Sequence, residues 1–112
     1  MSDQSFKPKA YVKEGCPFSF KFLTFMAEAG LLDRIDVVRL DGNDPTFEST
    51  KAFLSDKLGK NATFPTVEVE PGRYMTDSDA LIEYFAKREG RALDSLVVLP
   101  FYKDTILPKL FE

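Results

Sequence analysis

The stretch Lys13-Glu14-Gly15-Cys16-Pro17 separates a short strand-like run, Ala10-Tyr11-Val12, from a long apolar run that begins at Phe18. Proline suits the first turn of a helix, where its missing N–H would have had no intrahelical partner. The chain is therefore predicted to pass from strand to helix within a few residues, with Cys16 at or just before the helix N-terminus. Unpaired N–H groups and the helix dipole stabilise an anion at such a place. Thiolates at helix N-termini have pKa values of roughly 3.5–7.5, against about 8.5 for a free thiol. Lys13, three residues upstream, can add a positive charge. A lone cysteine is more commonly a small buried hydrophobe; the strand–Cys–Pro–helix context favours the reactive reading here.

The rest of the chain supplies what such a junction needs. The first strand is predicted over residues 9–13. From Pro17 to Ala29 the polar residues Lys21, Thr24 and Glu28 recur three and four apart and predict one narrow wet stripe. Phe18, Phe22, Leu23, Phe25 and Met26 cover much of the remaining surface, so the helix is expected to be largely buried, with Gly30 as its cap. Ile35, Val37 and Val38 mark a second strand over 34–40. Asp44 and Pro45 read as N-cap and first residue of a second helix, 46–58, ending near Gly59. Alternation from Thr66 to Glu70 reads as strand three, the tail of the segment 63–70. Pro71-Gly72 is a tight turn into a short fourth strand, 73–75. Thr76-Asp77-Ser78-Asp79 is a dense set of N-cap candidates opening a third helix, 80–88, before Gly90.

A βαβ unit places its two strands parallel with a right-handed crossover, and the hairpin must complete a mixed sheet. The expected fold is α/β and thioredoxin-like: βαβ-α-ββ-α around a mixed four-stranded sheet, with helices on both faces. One domain is predicted, with a loose segment 1–8, a core 9–90 and an apolar extension 91–112. That extension carries Leu96-Val97-Val98-Leu99, Phe101-Tyr102, Ile106-Leu107 and Leu110-Phe111, too apolar for a solvated tail. It is expected to be buried for the most part, either by folding back on its own domain or by a partner subunit, so a homodimer through 91–112 is left open.

Composition narrows the chemistry. With 44% hydrophobic and 29% charged residues, the chain is globular rather than disordered. A net charge of −3 without a dense basic run argues against nucleic-acid binding. No secretory signal or membrane-spanning stretch is read. A single cysteine cannot form an internal disulfide, which points to a reducing, cytoplasmic setting. The absence of histidine removes Cys–His protease chemistry and the common zinc sites, and no metal set is expected.

Lys13-x-x-Cys16-Pro17-Phe18-Ser19, Thr63-Phe64-Pro65 and Asp77-Ser78 occur in the order and spacing of glutaredoxins and of glutathione S-transferase N-terminal domains. The Cys-Pro-Phe-Ser form resembles dehydroascorbate reductases and chloride intracellular channel proteins. The resemblance covers about residues 9–90. It implies that Cys16 forms a mixed disulfide with glutathione, that Pro65 follows a cis bond, and that Phe64 pairs its backbone with the cysteinyl part of the tripeptide. It further implies that Asp77 and Ser78 hold the γ-glutamyl end and that Lys13 binds the glycyl carboxylate, with Phe18 beside the ligand. Ser19, which stands where dithiol glutaredoxins have a second cysteine, is expected to donate a hydrogen bond to the Cys16 sulfur. The physical chemistry is compatible: a helix N-terminus with Ser78 suits a carboxylate, and Asp77 suits an ammonium. Plain helix capping would also explain Asp77-Ser78.

The sequence departs from its relatives in three ways. Ser19 excludes an internal disulfide as the resolving step. Phe20-Lys21 replaces a frequent Gln-Arg. The all-helical second domain of the transferases has no counterpart in these residues, so conjugation of hydrophobic electrophiles is not implied. The expected function is a glutathione-dependent single-cysteine thiol–disulfide transferase, with glutathione as co-substrate and glutathionylated thiols as partners. The alternative is a glutathione- or protein-binding module of the same fold without turnover. A shared iron–sulfur cluster is a weaker third reading, because such scaffolds usually carry glycine where Pro17 stands.

Overall fold

The computed structural model describes residues 6–111. The loose segment expected over 1–8 therefore lies mostly outside the described residues. The elements are β1 (Lys9–Lys13), α1 (Pro17–Glu28), β2 (Asp36–Leu40), α2 (Phe47–Leu58), β3 (Thr66–Glu70), β4 (Arg73–Thr76), α3 (Ser78–Glu89) and a short α4 (Val98–Phe101). The sheet order is β2-β1-β3-β4. β1 and β2 are parallel, with Ala10 opposite Val37, while β3 runs antiparallel to both β1 and β4. This is the expected thioredoxin-like arrangement.

Alternation along the strands decides which helix covers which face. Ala10, Val67 and Val69 point into one cluster with Phe22, Phe25 and Met26 of α1 and Leu81, Ile82 and Phe85 of α3. Tyr74, opposite Glu68 in the ladder, faces the other way and meets Phe53 of α2 edge-on, at 6.2 Å between centroids. Two helices thus cover one face and one covers the other. Phe22, Phe25, Met26 and Leu81 are completely buried, each worth roughly 1.5–3 kcal/mol by transfer.

Several boundaries differ from those expected. Residue 34 is not in the second strand: Leu32–Arg34 form a 3-10 turn, and Arg34 pairs with Glu89 at 2.7 Å. Asp44 does not cap α2, whose N-cap is Thr46. The Asp44 carboxylate instead accepts from the Thr46 N–H (2.8 Å) and hydroxyl (2.7 Å), closing a turn before the helix. The third helix starts earlier than 80, at Ser78, directly after its N-cap Asp77.

The stripe on α1 is not wet. Lys21 and Thr24 are buried, whereas Phe20 is 54% exposed. The reason lies in what α1 packs against. Lys21 meets Asp79 at the start of α3, at 2.6 Å. Glu28 accepts hydrogen bonds from the N–H groups of Val97, Val98 and Leu99 at 2.6–2.8 Å. The polar stripe is thus a seam to α3 and to the extension.

The extension returns along α1 as a 3-10 turn (Leu93–Ser95), α4, a π-helical turn (Tyr102–Ile106) and a last 3-10 turn (Leu107–Phe111). Leu99, Tyr102 and Leu107 are buried, but Val97, Val98, Phe101, Leu110 and Phe111 each stay more than half exposed. Of the two expected ways of burying the apolar tail, folding back on its own domain therefore covers only part of it. A short amphipathic segment can turn only one side inward, and the tail is apolar on both.

Candidate functional site

Cys16 is the N-cap of α1, with extended backbone (φ −87°, ψ 120°), and is half-buried. Gly15, at φ +80°, permits the sharp turn out of β1. The N–H of Ser19 points at the Cys16 sulfur at 3.5 Å, and the thiol approaches the carbonyl oxygen of Phe64 at 3.6 Å. The serine contributes its backbone rather than its side chain. The Ser19 hydroxyl is buried and accepts the N–H of Lys13 at 3.1 Å, tying the end of β1 to the first turn of α1. The expected hydroxyl-to-sulfur bond is thus replaced by a backbone one.

The Phe64–Pro65 peptide is cis. Pro65 itself is fully buried. Three threonines hold this segment. Thr66 Oγ1 donates to the Thr63 carbonyl at 2.5 Å, Thr76 Oγ1 donates to the Pro65 carbonyl at 2.8 Å, and the Thr63 and Thr76 hydroxyls meet at 3.0 Å. Thr66 and Thr76, expected as a strand residue and a helix-cap candidate, hold this segment, a role for which strand alternation gives no signal.

A hollow of about 320 Å³ is lined by Phe18, Lys21, Thr63, Phe64, Asp77, Ser78 and Asp79, and it adjoins Cys16 through Phe64, whose carbonyl the thiol approaches. Four residues singled out in the sequence, Phe18, Phe64, Asp77 and Ser78, therefore share one wall system. Asp77 sits at φ +83°, the only non-glycine residue at positive φ among those described. Such a conformation costs on the order of 1–3 kcal/mol and is found preferentially at ligand sites. Its carboxylate also accepts the Asp79 N–H at 3.1 Å, so Asp77 caps α3 as well. Lys21, missed as a site residue, lines the same hollow with its side chain 5% exposed.

Lys13 is not among the residues that line this hollow. It lines a second hollow, about 370 Å³, with Cys16, Ser19, Phe20, Val37 and Arg39. Its ammonium stands 5.8 Å from the ring of Phe47, which in turn packs on Phe64 at 5.7 Å. Lys21 and Lys13 thus line different hollows, the first with Phe64 and the second with Cys16. Tyr102, from the extension, was outside every motif read in the sequence. Its hydroxyl donates to the Pro17 carbonyl at 2.7 Å. Burial first, and the charge of Cys16 second, push the Tyr102 phenol above its ordinary value. Among the described residues no cluster suited to a metal ion occurs, and no helix is long and apolar enough to cross a membrane.

A capping cysteine facing the carbonyl before a cis proline, on a βαβ-α-ββ-α sheet, defines a thioredoxin-fold thiol domain. Residues 15–88 match the family model for the glutathione S-transferase N-terminal domain, and the chain belongs to that family. A comparison with curated proteins finds no match. Among solved structures, the fold is similar to glutaredoxin 2 from Salmonella typhimurium in complex with glutathione, with a TM-score of 0.61 and 20% identity over 80% of this chain. It is also similar to a diazinon-metabolizing glutathione S-transferase of the silkworm Bombyx mori, with a TM-score of 0.59 and 15% identity over 76% of this chain. The chain spans only 37% and 40% of the lengths of those two proteins. Oxidized glutaredoxin 2 from Chlamydomonas reinhardtii is matched over 84% of its length and 77% of this chain, with a TM-score of 0.54 and 20% identity.

Proposed function

We propose that this protein is a glutathione-dependent, single-cysteine thiol–disulfide transferase. The observation that carries the reading is the contact of the Cys16 sulfur with the carbonyl of Phe64, a residue that also lines a hollow with Phe18, Asp77 and Ser78. The Cys16 thiolate attacks the glutathione sulfur of a glutathionylated thiol. That disulfide breaks, a Cys16–glutathione disulfide forms, and the released thiolate takes up a proton. The thiolate of a second glutathione then attacks the bound glutathione sulfur and leaves as oxidised glutathione, returning Cys16 as thiolate. Two electrons pass from glutathione to the released thiol, and no second protein cysteine is needed.

In this reading residues 9–90 form the glutathione-binding core, and 91–112 are an extension of it. The Phe64 backbone pairs with the cysteinyl part of the tripeptide and Phe18 walls it. Asp77 meets the γ-glutamyl ammonium, and Ser78 with the end of α3 meets its carboxylate. Lys13 is left for the glycyl carboxylate at the other end. The Ser19 N–H supports the sulfur anion, as expected at a helix N-terminus. A free-thiol chemistry of this kind belongs to a reducing compartment such as the cytoplasm. A binding module without turnover is the second reading; the exposed side chains of Val97, Phe101, Leu110 and Phe111 favour it, because they offer a surface to a partner or a second copy.

The deciding measurement is turnover of a small glutathione mixed disulfide by wild type and by Cys16→Ser. Turnover in wild type that vanishes in the variant is the expected result. A wild type that binds glutathione but does not turn over the disulfide would establish the binding module instead.

A further inference from the structure

The extension does not dock at random on α1. It touches the first turn, the one that Cys16 caps. Tyr102 donates its hydroxyl to the Pro17 carbonyl at 2.7 Å. The Tyr102 ring meets Phe20 edge-on at 4.9 Å, and Phe111 stacks on Phe18 at 5.7 Å. Pro17, Phe18 and Phe20 are thus each gripped by the extension, within four positions of the thiol. Tyr102 is only 6% exposed, so this contact is a packed one.

The Pro17 carbonyl and the Phe18 N–H belong to one planar peptide and point in opposite directions. In a helix the carbonyl points toward the C-terminus and the N–H toward the N-terminus. By that geometry the Phe18 N–H is a first-turn donor directed toward the helix end that Cys16 occupies, beside the Ser19 N–H that points at the sulfur at 3.5 Å. A hydrogen bond to a carbonyl polarises its peptide and strengthens the opposite N–H as a donor.

We infer that the C-terminal extension is part of the thiol site, with Tyr102 as a positioning residue that fixes and polarises the Pro17–Phe18 peptide to stabilise the Cys16 thiolate. The inference rests on the reading of Cys16 as a nucleophile but not on the identity of its substrate. The other charged groups around the thiol are Lys13 and Glu14 before α1 and Arg39 of β2, with the Lys21–Asp79 pair and Asp77 on the α3 side. None of these is altered by a change at Tyr102.

The test uses the full chain and iodoacetamide, which needs no glutathione. In Tyr102→Phe the ring still packs on Phe20, and only the hydroxyl is lost. The pH of half-maximal Cys16 alkylation should rise by about 0.2–0.7 pH units, the size of a helix-end interaction expressed on the pH scale. An unshifted profile, or a Cys16 inert at every pH, overturns the inference. Should Tyr102→Phe fail to fold, wild type suffices: the ring-carbon NMR resonance of Tyr102 should step at the pH where alkylation is half-maximal. A Tyr102 resonance flat through that pH overturns the inference equally. A shifted profile in a protein that turns over no glutathione disulfide supports the positioning role and sinks only the glutathione reading.

Discussion

Asp77 caps α3 and lines the hollow with Ser78, so capping and the proposed ligand contact can be separated by choice of substitution. Asp77 caps α3 through the Asp79 N–H and holds a positive φ of 83°. Asparagine keeps the cap and tolerates that backbone, but it removes the charge that would meet an ammonium. Ser78 is buried at the wall of the hollow. Asp77→Asn and Ser78→Ala should each weaken glutathione binding, measured by titration calorimetry, by roughly 1–3 kcal/mol, the range for hydrogen bonds to charged groups. Both should leave iodoacetamide alkylation of Cys16 nearly unchanged. Unaltered glutathione binding in both variants would reduce the pair to helix capping. At this scale the motifs located part of the arrangement: Cys16 meets the Phe64 carbonyl, and Phe64 shares a hollow with Asp77 and Ser78, while Lys13 lines the other hollow. Lys21, Thr66, Thr76 and Tyr102 were illegible, because their importance comes from contacts between segments far apart in the chain. Ser19 was legible as a position but not in its role, since only coordinates show that its hydroxyl turns to Lys13.

Helix α1 shows how an element can be read correctly and oriented wrongly. Its boundaries followed from Pro17 and Gly30, but its polar stripe faces other protein. Periodicity reports that one face differs from the rest; it does not report whether that face meets water or the polar ends of other segments. Glu28 illustrates the second case. Desolvation would raise its carboxyl, yet the N–H groups of Val97, Val98 and Leu99 together outweigh it and hold the group below the usual carboxylate range. A carboxyl depressed in the folded state stabilises the docked extension above its unfolded pKa, and that contribution is lost as pH falls through the folded value. Amide hydrogen exchange at Val97, Val98 and Leu99 should therefore show less protection relative to α1 in acid than at neutral pH. Glu28→Gln should reproduce the loss at neutral pH. Equal protection in the variant and wild type at neutral pH would show that the tail is held by its apolar contacts alone.

For the molecule as a whole, the parallel βαβ pair and the mixed sheet with helices on both faces were legible because local signals agreed: a βαβ crossover, a Pro-Gly hairpin, and glycines at the helix C-termini. The extension was not, because an apolar segment broken by Pro100 and Pro108 has no single period to read. Its place in the fold makes a definite claim about stability. Leu99 belongs to the main core cluster with Phe22, Phe85 and Ile82, and Tyr102 and Leu107 are also buried. Each such side chain contributes roughly 1.5–3 kcal/mol by transfer, against a net stability of about 5–15 kcal/mol for a typical domain. The extension also covers the far side of Phe18 and Phe20 and satisfies Glu28. Truncation after Gly90 should therefore lower the urea midpoint steeply or leave the protein aggregated. Point changes on the outward side of the tail, such as Val97→Ser or Phe101→Ser, should leave the unfolding free energy within about 0.5 kcal/mol of wild type, as for surface substitutions generally. A truncated protein as stable and soluble as the full chain would show that the buried side of the tail adds nothing to the core. A large loss from the outward changes would place a second copy or another partner on that surface, and sedimentation at two concentrations would separate those two.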